Sequence, residues 1–308
     1  MGTPEIAVPS LQTLLQAPNL DVVGVVTQPD RRAGRGRKLK PSPVKQAALD
    51  AGVPTILQPV RLREASAFEA LAALEPELIV VTAYGQILRP QVLDLPRYGC
   101  INVHASLLPR WRGASPITAA ILAGDPQTGV TIMQMDAGMD TGPILSQRAE
   151  SILPHDTSAS LGERLGRVGA ELLGGMLDCY LAGRITPYPQ PEAGATVCRL
   201  IKKEHARIDW QRPAVEIERM VRAYWPWPGA FSTWQGKRVK IGAAQVAAGE
   251  AEPGRVVAWS KKAAVGTGAG LLVIEQIQVP GKRMMAVEDF LRGHGGFLGV
   301  LLGEDESE

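Results

Sequence analysis

The stretch GCINVH at 99–104 offers the first candidate chemistry. Read as a β-strand, it alternates its side chains. Asn102 and His104 then share one face, and Ile101 and Val103 turn to the other. Two polar side chains near the C-terminal end of a buried parallel strand are costly unless satisfied. That end of an open α/β sheet is also where ligands bind. An asparagine amide can donate to a developing oxyanion, and a histidine can carry a proton near neutral pH. The competing reading is a hydrogen-bonded pair that merely ends the strand. QMDAGMDTG at 134–142 is the second candidate, with Asp136 and Asp140 in a glycine-broken loop after another apolar run. A carboxylate that reached His104 would orient it. Both aspartates also suit a plain turn, and spacing does not choose between them.

A third feature is electrostatic. RRAGRGRKLK at 31–40 carries six basic residues and no acidic one. Arg31, Arg32, Arg35, Arg37, Lys38 and Lys40 could hold phosphate, and Gly34 and Gly36 give the run freedom to follow a groove. A solvated surface loop or a localisation signal are the plainer readings. The window 199–240 adds ten Lys/Arg against four Asp/Glu, which supports a nucleic-acid partner. The aromatic run AYWPWPGAF at 223–231 could stack on bases, but Trp beside Pro reads better as a packed corner.

Other chemistries lack their residues. His155, His205 and His294 form no pair with ligand spacing, and no HExxH, CxxC or carboxylate cluster exists, so no metal site is expected. Neither a phosphate-binding P-loop nor a GxGxxG turn follows a strand, which argues against an ATPase and a dinucleotide-dependent dehydrogenase.

The elements that must position these residues alternate. Apolar β-type runs lie at 22–27, 78–82, 99–104, 130–135 and 143–147, with helical patterns near 6–17, 42–52, 62–74 and 115–123. Such alternation implies an α/β fold with a mostly parallel, Rossmann-like sheet. A long amphipathic helix is expected over about 157–182, although its glycines weigh against continuity. Residues 183–204 are rich in Pro and Gly and lack periodicity, which marks a linker. A helix at 213–224 and short strands at 237–241, 254–259, 263–267 and 271–279 then suggest a small β-barrel. The expected division is a catalytic domain at 1–182, the linker at 183–204 and a barrel domain at 205–308.

Composition agrees with a globular, two-domain chain: 308 residues, 45% hydrophobic, 21% charged and a net charge of +2. Three cysteines, Cys100, Cys179 and Cys198, cannot build a disulfide framework and fit a reducing cytosol. No apolar run approaches the ~18 residues of a membrane helix, and MGTPE does not open like a signal peptide. A soluble cytoplasmic protein is expected.

Taken together, GTPEIAVPSL, TQPDRRAGRGRKLKPSPVK, GCINVHASLLPRWRGASPI, VTIMQMDAGMDTGPIL, ARIDW and WPWPGAF resemble the methionyl-tRNA formyltransferases. NVHASLLP alone would only indicate the wider folate-dependent formyltransferases. The resemblance implies catalytic roles for Asn102, His104 and Asp140, and a tetrahydrofolate-binding stretch at Ser106, Leu107, Leu108 and Pro109. It also implies a tRNA-contacting loop around Arg35 and an OB-like second domain whose basic surface touches tRNA. The implied partners are 10-formyltetrahydrofolate as co-substrate, with no tightly bound cofactor, and initiator methionyl-tRNA. A cytoplasmic monomer is implied as well. The family begins with an apolar strand before its GTP turn. Here Met1-Gly2-Thr3 already lies inside that turn, so the sheet is expected to lack its first strand. Two alternatives remain open at this point: a folate-dependent formyltransferase acting on another amine, and a non-catalytic RNA-binding protein on the same fold.

Overall fold

In the computed structural model, which describes residues 1–33 and 38–303, the apolar runs of the first half form short strands separated by helices. In chain order these are α1 (Val8–Gln16), β1 (Val25–Val26), β2 (Arg31–Ala33), β3 (Lys38–Lys40), α2 (Pro43–Asp50), β4 (Ile56–Leu57), α3 (Ala65–Ala72), β5 (Ile79–Val81), α4 (Pro90–Leu93) and β6 (Cys100–His104). They continue with β7 (Arg112–Gly113), α5 (Pro116–Ala123), β8 (Gln127–Gln134), β9 (Ile144–Ser151), α6 (Ser158–Leu181) and β10 (Val197–Cys198).

β1 pairs parallel with β4, and β5 pairs parallel with β6. Residues 1–2 lie between these pairs. The Gly2 N–H donates to the Val26 carbonyl, the Thr82 N–H donates to the Met1 carbonyl, and Gly2 bridges Thr82 in parallel. These parallel pairs form the expected Rossmann-like core, and the sheet continues with antiparallel strands. β8 runs antiparallel to both β6 and β9. A parallel return to β9 needs a crossover of about a dozen residues or more. The short loop 135–143 provides only a hairpin, and apolar content alone does not encode strand direction.

All five residues of β6 are buried. One reason is α6, which is continuous from Ser158 to Leu181 despite its glycines. A Cβ at Gly169 would meet the Val103 side chain at 2.7 Å, and one at Gly166 would meet the Ile6 carbonyl oxygen at 3.0 Å. The glycines that weaken the helix locally let it lie close behind the strand.

The chain divides into two units. The first holds 1–116, 127–151 and 161–199, and the second holds 117–126, 152–160 and the chain from 200 onward. Residues 183–199 of the segment read as linker at 183–204 therefore group with the first unit. β10 pairs with β7 through Val197↔Arg112 and Cys198↔Gly113. A two-residue strand that follows a Pro-rich run leaves no periodic signal, which is why the sequence reads there as loop.

The second unit contains α7 (Ala214–Ala223) and a curled antiparallel sheet of β11 (Phe231–Trp234), β12 (Lys237–Ala247), β13 (Val256–Trp259), β14 (Lys262–Gly266), β15 (Leu271–Gln278) and β16 (Met285–Ala286), followed by α8 (Val287–Gly293). The sheet order is β11-β12-β15-β14-β13, with β16 beside β15. Ile217, Met220 and Val221 of α7 share one core with Ile241, Leu272, Ile274 and Phe290. Among the described residues, no helix is long and apolar enough to cross a membrane.

Candidate active site

Three side chains from two segments meet at the C-terminal end of β6. Asn102 and His104 lie on one face, buried to 8% and 5% exposure. The Asn102 Nδ2 donates to Asp140 Oδ1 at 3.2 Å. Asp140 Oδ2 accepts the Gly113 backbone N–H at 2.8 Å and lies 3.6 Å from His104 Nδ1. The other imidazole nitrogen, Nε2, is 2.9 Å from the Trp111 carbonyl oxygen. A carbonyl only accepts, so Nε2 carries a proton and the ring turns Nδ1 toward the carboxylate. At 3.6 Å, Nδ1 and the carboxylate do not hydrogen-bond directly. Nδ1 stays able to serve a third group. The second amide hydrogen of Asn102 is a further free donor, because one hydrogen suffices for Asp140.

The two aspartates of the 134–142 loop part company here. Asp136 is exposed, and its carboxylate accepts from the Thr141 hydroxyl at 2.8 Å and from the Gly138 N–H at 3.0 Å. It is a turn residue that holds its own loop. Asp140 sits in the left-handed region, with φ of 55°, which aims its side chain back at β6. Sequence spacing could not separate the pair, because the difference lies in one backbone rotation.

The stretch 106–109 forms a tied turn. Ser106 is fully buried, and its hydroxyl donates to the Arg110 carbonyl at 2.6 Å. The Leu108 N–H donates to Thr131 Oγ1 at 3.0 Å, and that hydroxyl donates to the Ser106 carbonyl at 2.7 Å. The Gln147 amide donates to both Thr131 Oγ1 and the Leu108 carbonyl at 2.8 Å. The Leu108–Pro109 peptide is cis. Ser106 and Leu108 therefore point inward, while Leu107 and Pro109 are half-buried. Thr131 and Gln147 were missed in the sequence. They alternate within otherwise apolar or ordinary strand patterns, and only the register His104↔Thr131 brings them to the site.

A second group missed by sequence reasoning lies in 190–198. The Trp111 N–H donates to Thr196 Oγ1 at 2.9 Å, and the Ser115 N–H donates to the Cys198 sulfur at 3.3 Å. Burial pushes the Cys198 thiol above its ordinary range. Cys100, at the far end of β6, is pushed up to about 12 by burial. Both thiols stay neutral near pH 7 and suit packing rather than nucleophilic attack.

The basic run is a surface of a different kind. β2 and β3 pair antiparallel, with Arg31 directly opposite Lys40. Arg31, Arg32 and Lys40 are exposed. Like charges facing across a hairpin repel and are relieved by a bound anion. Arg35 and Arg37 lie outside the described residues, and Lys38 is placed only as the first residue of β3. In the second unit, Lys240 Nζ donates to the Pro228 carbonyl at 2.7 Å, and its pKa is lowered by burial and by neighbouring Arg238 and Lys203. The aromatic corner is mixed: Trp225 is half-buried and Trp227 is exposed.

Comparison with known proteins places the chain in a family. The formyl transferase model matches residues 2–176, and the formyl transferase C-terminal domain model matches 200–295. A methionyl-tRNA formyltransferase of Magnetococcus marinus is 50% identical over 305 residues, covering 99% of this chain and 97% of that protein. One of Methylococcus capsulatus is 50% identical over 295 residues, covering 95% of each. An N-formyltransferase from Helicobacter canadensis, solved with folinic acid and dTDP-3-aminofucose, superposes with a TM-score of 0.65 at 18% identity, over 89% of this chain and 96% of that one. That last likeness speaks for the fold alone. With one model covering more than half of its residues and relatives half identical along nearly its whole length, the chain belongs to the formyl transferase family.

Proposed function

We propose that this chain transfers the formyl group of 10-formyltetrahydrofolate to the α-amino group of methionine esterified to initiator tRNA. The substrates follow the names of the relatives that are half identical over nearly the full chain. The chemistry rests on one observation, the convergence of Asn102 and His104 with Asp140.

The neutral amine attacks the formyl carbon, forming a C–N bond and a tetrahedral oxyanion. The second amide hydrogen of Asn102 donates to that oxyanion, and His104 supports it through Nδ1 when the ring carries both protons. The bond from the formyl carbon to the folate nitrogen then breaks. One proton leaves the attacking amine and one is delivered to the departing nitrogen, with Asp140 as the relay. No covalent enzyme intermediate is required. The turn Ser106, Leu107, Leu108 and Pro109 shapes the donor site. Ser106 and Leu108 are buried, so their part is to hold the backbone of that turn.

The basic run Arg31, Arg32, Arg35, Arg37, Lys38 and Lys40 contacts the tRNA backbone, assisted by the basic window of the second unit. The chain acts as a cytoplasmic monomer without a tightly bound cofactor, a reading that follows the family resemblance. The test is an acceptor competition. Formyl transfer is measured with methionyl initiator tRNA, a sugar-nucleotide amine and glycinamide ribonucleotide. Preference for the tRNA is expected, and transfer only to a small amine would overturn the reading.

A further inference from the structure

The loop that carries Asp140 is held by a residue outside both catalytic segments. Gln190 is buried to 8% exposure. Its side-chain Nε2 donates to the Asp140 carbonyl and to the Gly142 carbonyl, both at 2.8 Å. Its Oε1 accepts from Arg112 Nε at 2.9 Å, and Arg112 is itself buried to 7%. One amide thus spends both donors on two carbonyls of a single turn and anchors its acceptor to β7. Gly113, the other residue of β7, is the one whose N–H holds the Asp140 carboxylate.

We infer that Gln190 and Arg112 form a clamp that sets the left-handed backbone at Asp140, making Gln190 a positioning residue for transfer. A non-glycine residue at φ of 55° is disfavoured on its own and persists where surrounding bonds over-determine it. The Gln190 amide supplies two such bonds at the carbonyls on either side of Thr141. Gly113 supplies a third at the carboxylate. Backbone and side chain of Asp140 are thereby referred to the same short strand. Gly142 completes the turn, because a Cβ there would lie 2.0 Å from the Gln134 carbonyl oxygen. A buried amide with all of these partners satisfied tolerates little substitution, since any replacement strands the two backbone carbonyls or the Arg112 Nε–H.

The inference rests on the proposed role of Asp140 and is testable apart from it. Gln190→Met keeps the size and removes the donors and the acceptor. Gln190→Glu keeps an acceptor for Arg112 and faces the two carbonyls with oxygen instead of N–H. A misplacement of about 1 Å at a reacting group can cost about 100-fold in rate. Each variant should therefore lower kcat by roughly 10- to 100-fold, with KM for tRNA and folate within about twofold and assays run well below Tm. In an Asp140→Asn background, the same change should lower kcat by less than about twofold, because the clamp acts through Asp140.

Unchanged kcat in the folded variants overturns the clamp. So does a loss of equal size in the Asp140→Asn background, which would mean Gln190 acts elsewhere. Lowered Tm with normal kcat would reduce Gln190 to a structural tie. Should Gln190→Met fail to fold, Gln190→Glu carries the same test with the Arg112 anchor kept. If Asp140→Asn alone retains full turnover, the failure lies in the reading of the site and not in the clamp.

Discussion

The end of β6 and the β2–β3 hairpin handle polar side chains in opposite ways. At β6, Asn102 and His104 are buried and each answers to Asp140. On the hairpin, Arg31, Arg32 and Lys40 are exposed, with Arg31 facing Lys40 across the strands. Buried polar groups must be satisfied in one geometry, and the interior amplifies each interaction. Exposed charges are screened and can exchange partners. The first arrangement suits chemistry at a fixed point, and the second suits a polyanion whose contacts need not be unique. The difference predicts that changes at β6 fall on kcat and changes on the hairpin fall on tRNA affinity and its salt dependence.

The largest expected effect tests the first half of that contrast. Asp140→Asn keeps shape and removes the charge and the proton acceptor, so kcat should fall by about 10²- to 10⁴-fold. Steady-state formyl transfer at saturating tRNA checks it, and a loss confined to KM would break the contrast. The hairpin tests the other half. Replacing Arg31, Arg32 and Lys40 together by Ala should weaken tRNA binding on the order of 10-fold at moderate salt and flatten the slope of log K against log salt by up to about three units. Filter binding across a salt series reads this, with folate affinity unchanged. An unaltered slope would make the hairpin a simple linker.

The smallest effect belongs to Asp136→Asn. That side chain only closes its own exposed turn through Thr141 and Gly138, and an amide oxygen can still accept. Turnover should stay within about threefold and stability within about 1 kcal/mol. Thermal melts and transfer rates beside Asp140→Asn would sharpen the contrast within one loop.

What could be read from the residues divides along physical lines. Strand alternation put Asn102 and His104 on one face, because a period of two is local. The choice of Asp140 over Asp136 needed the family resemblance, since it turns on a single φ. The antiparallel course of β8 was not legible, because a run such as VTIMQ at 130–134 reads as a strand without showing its direction. Gln190 and Thr196 were hidden in a Pro/Gly-rich segment whose order comes from long-range bonds to Arg112, Asp140 and Trp111. The glycines of α6 looked like weaknesses, yet Gly169 lets the helix approach Val103. Arg35 and Arg37 fall outside the described residues, so their place in the run is known from the sequence.

Single-turnover formyl transfer by Asn102→Ala, with Tm and tRNA affinity recorded on the same preparation, probes the β6 cluster itself. Loss of one preorganised oxyanion donor should slow the chemical step by about 10²- to 10³-fold while Tm and tRNA binding stay close to those of the parent chain. A near-normal rate in a folded, tRNA-binding variant would contradict the assignment of the β6 cluster as the place where formyl transfer occurs.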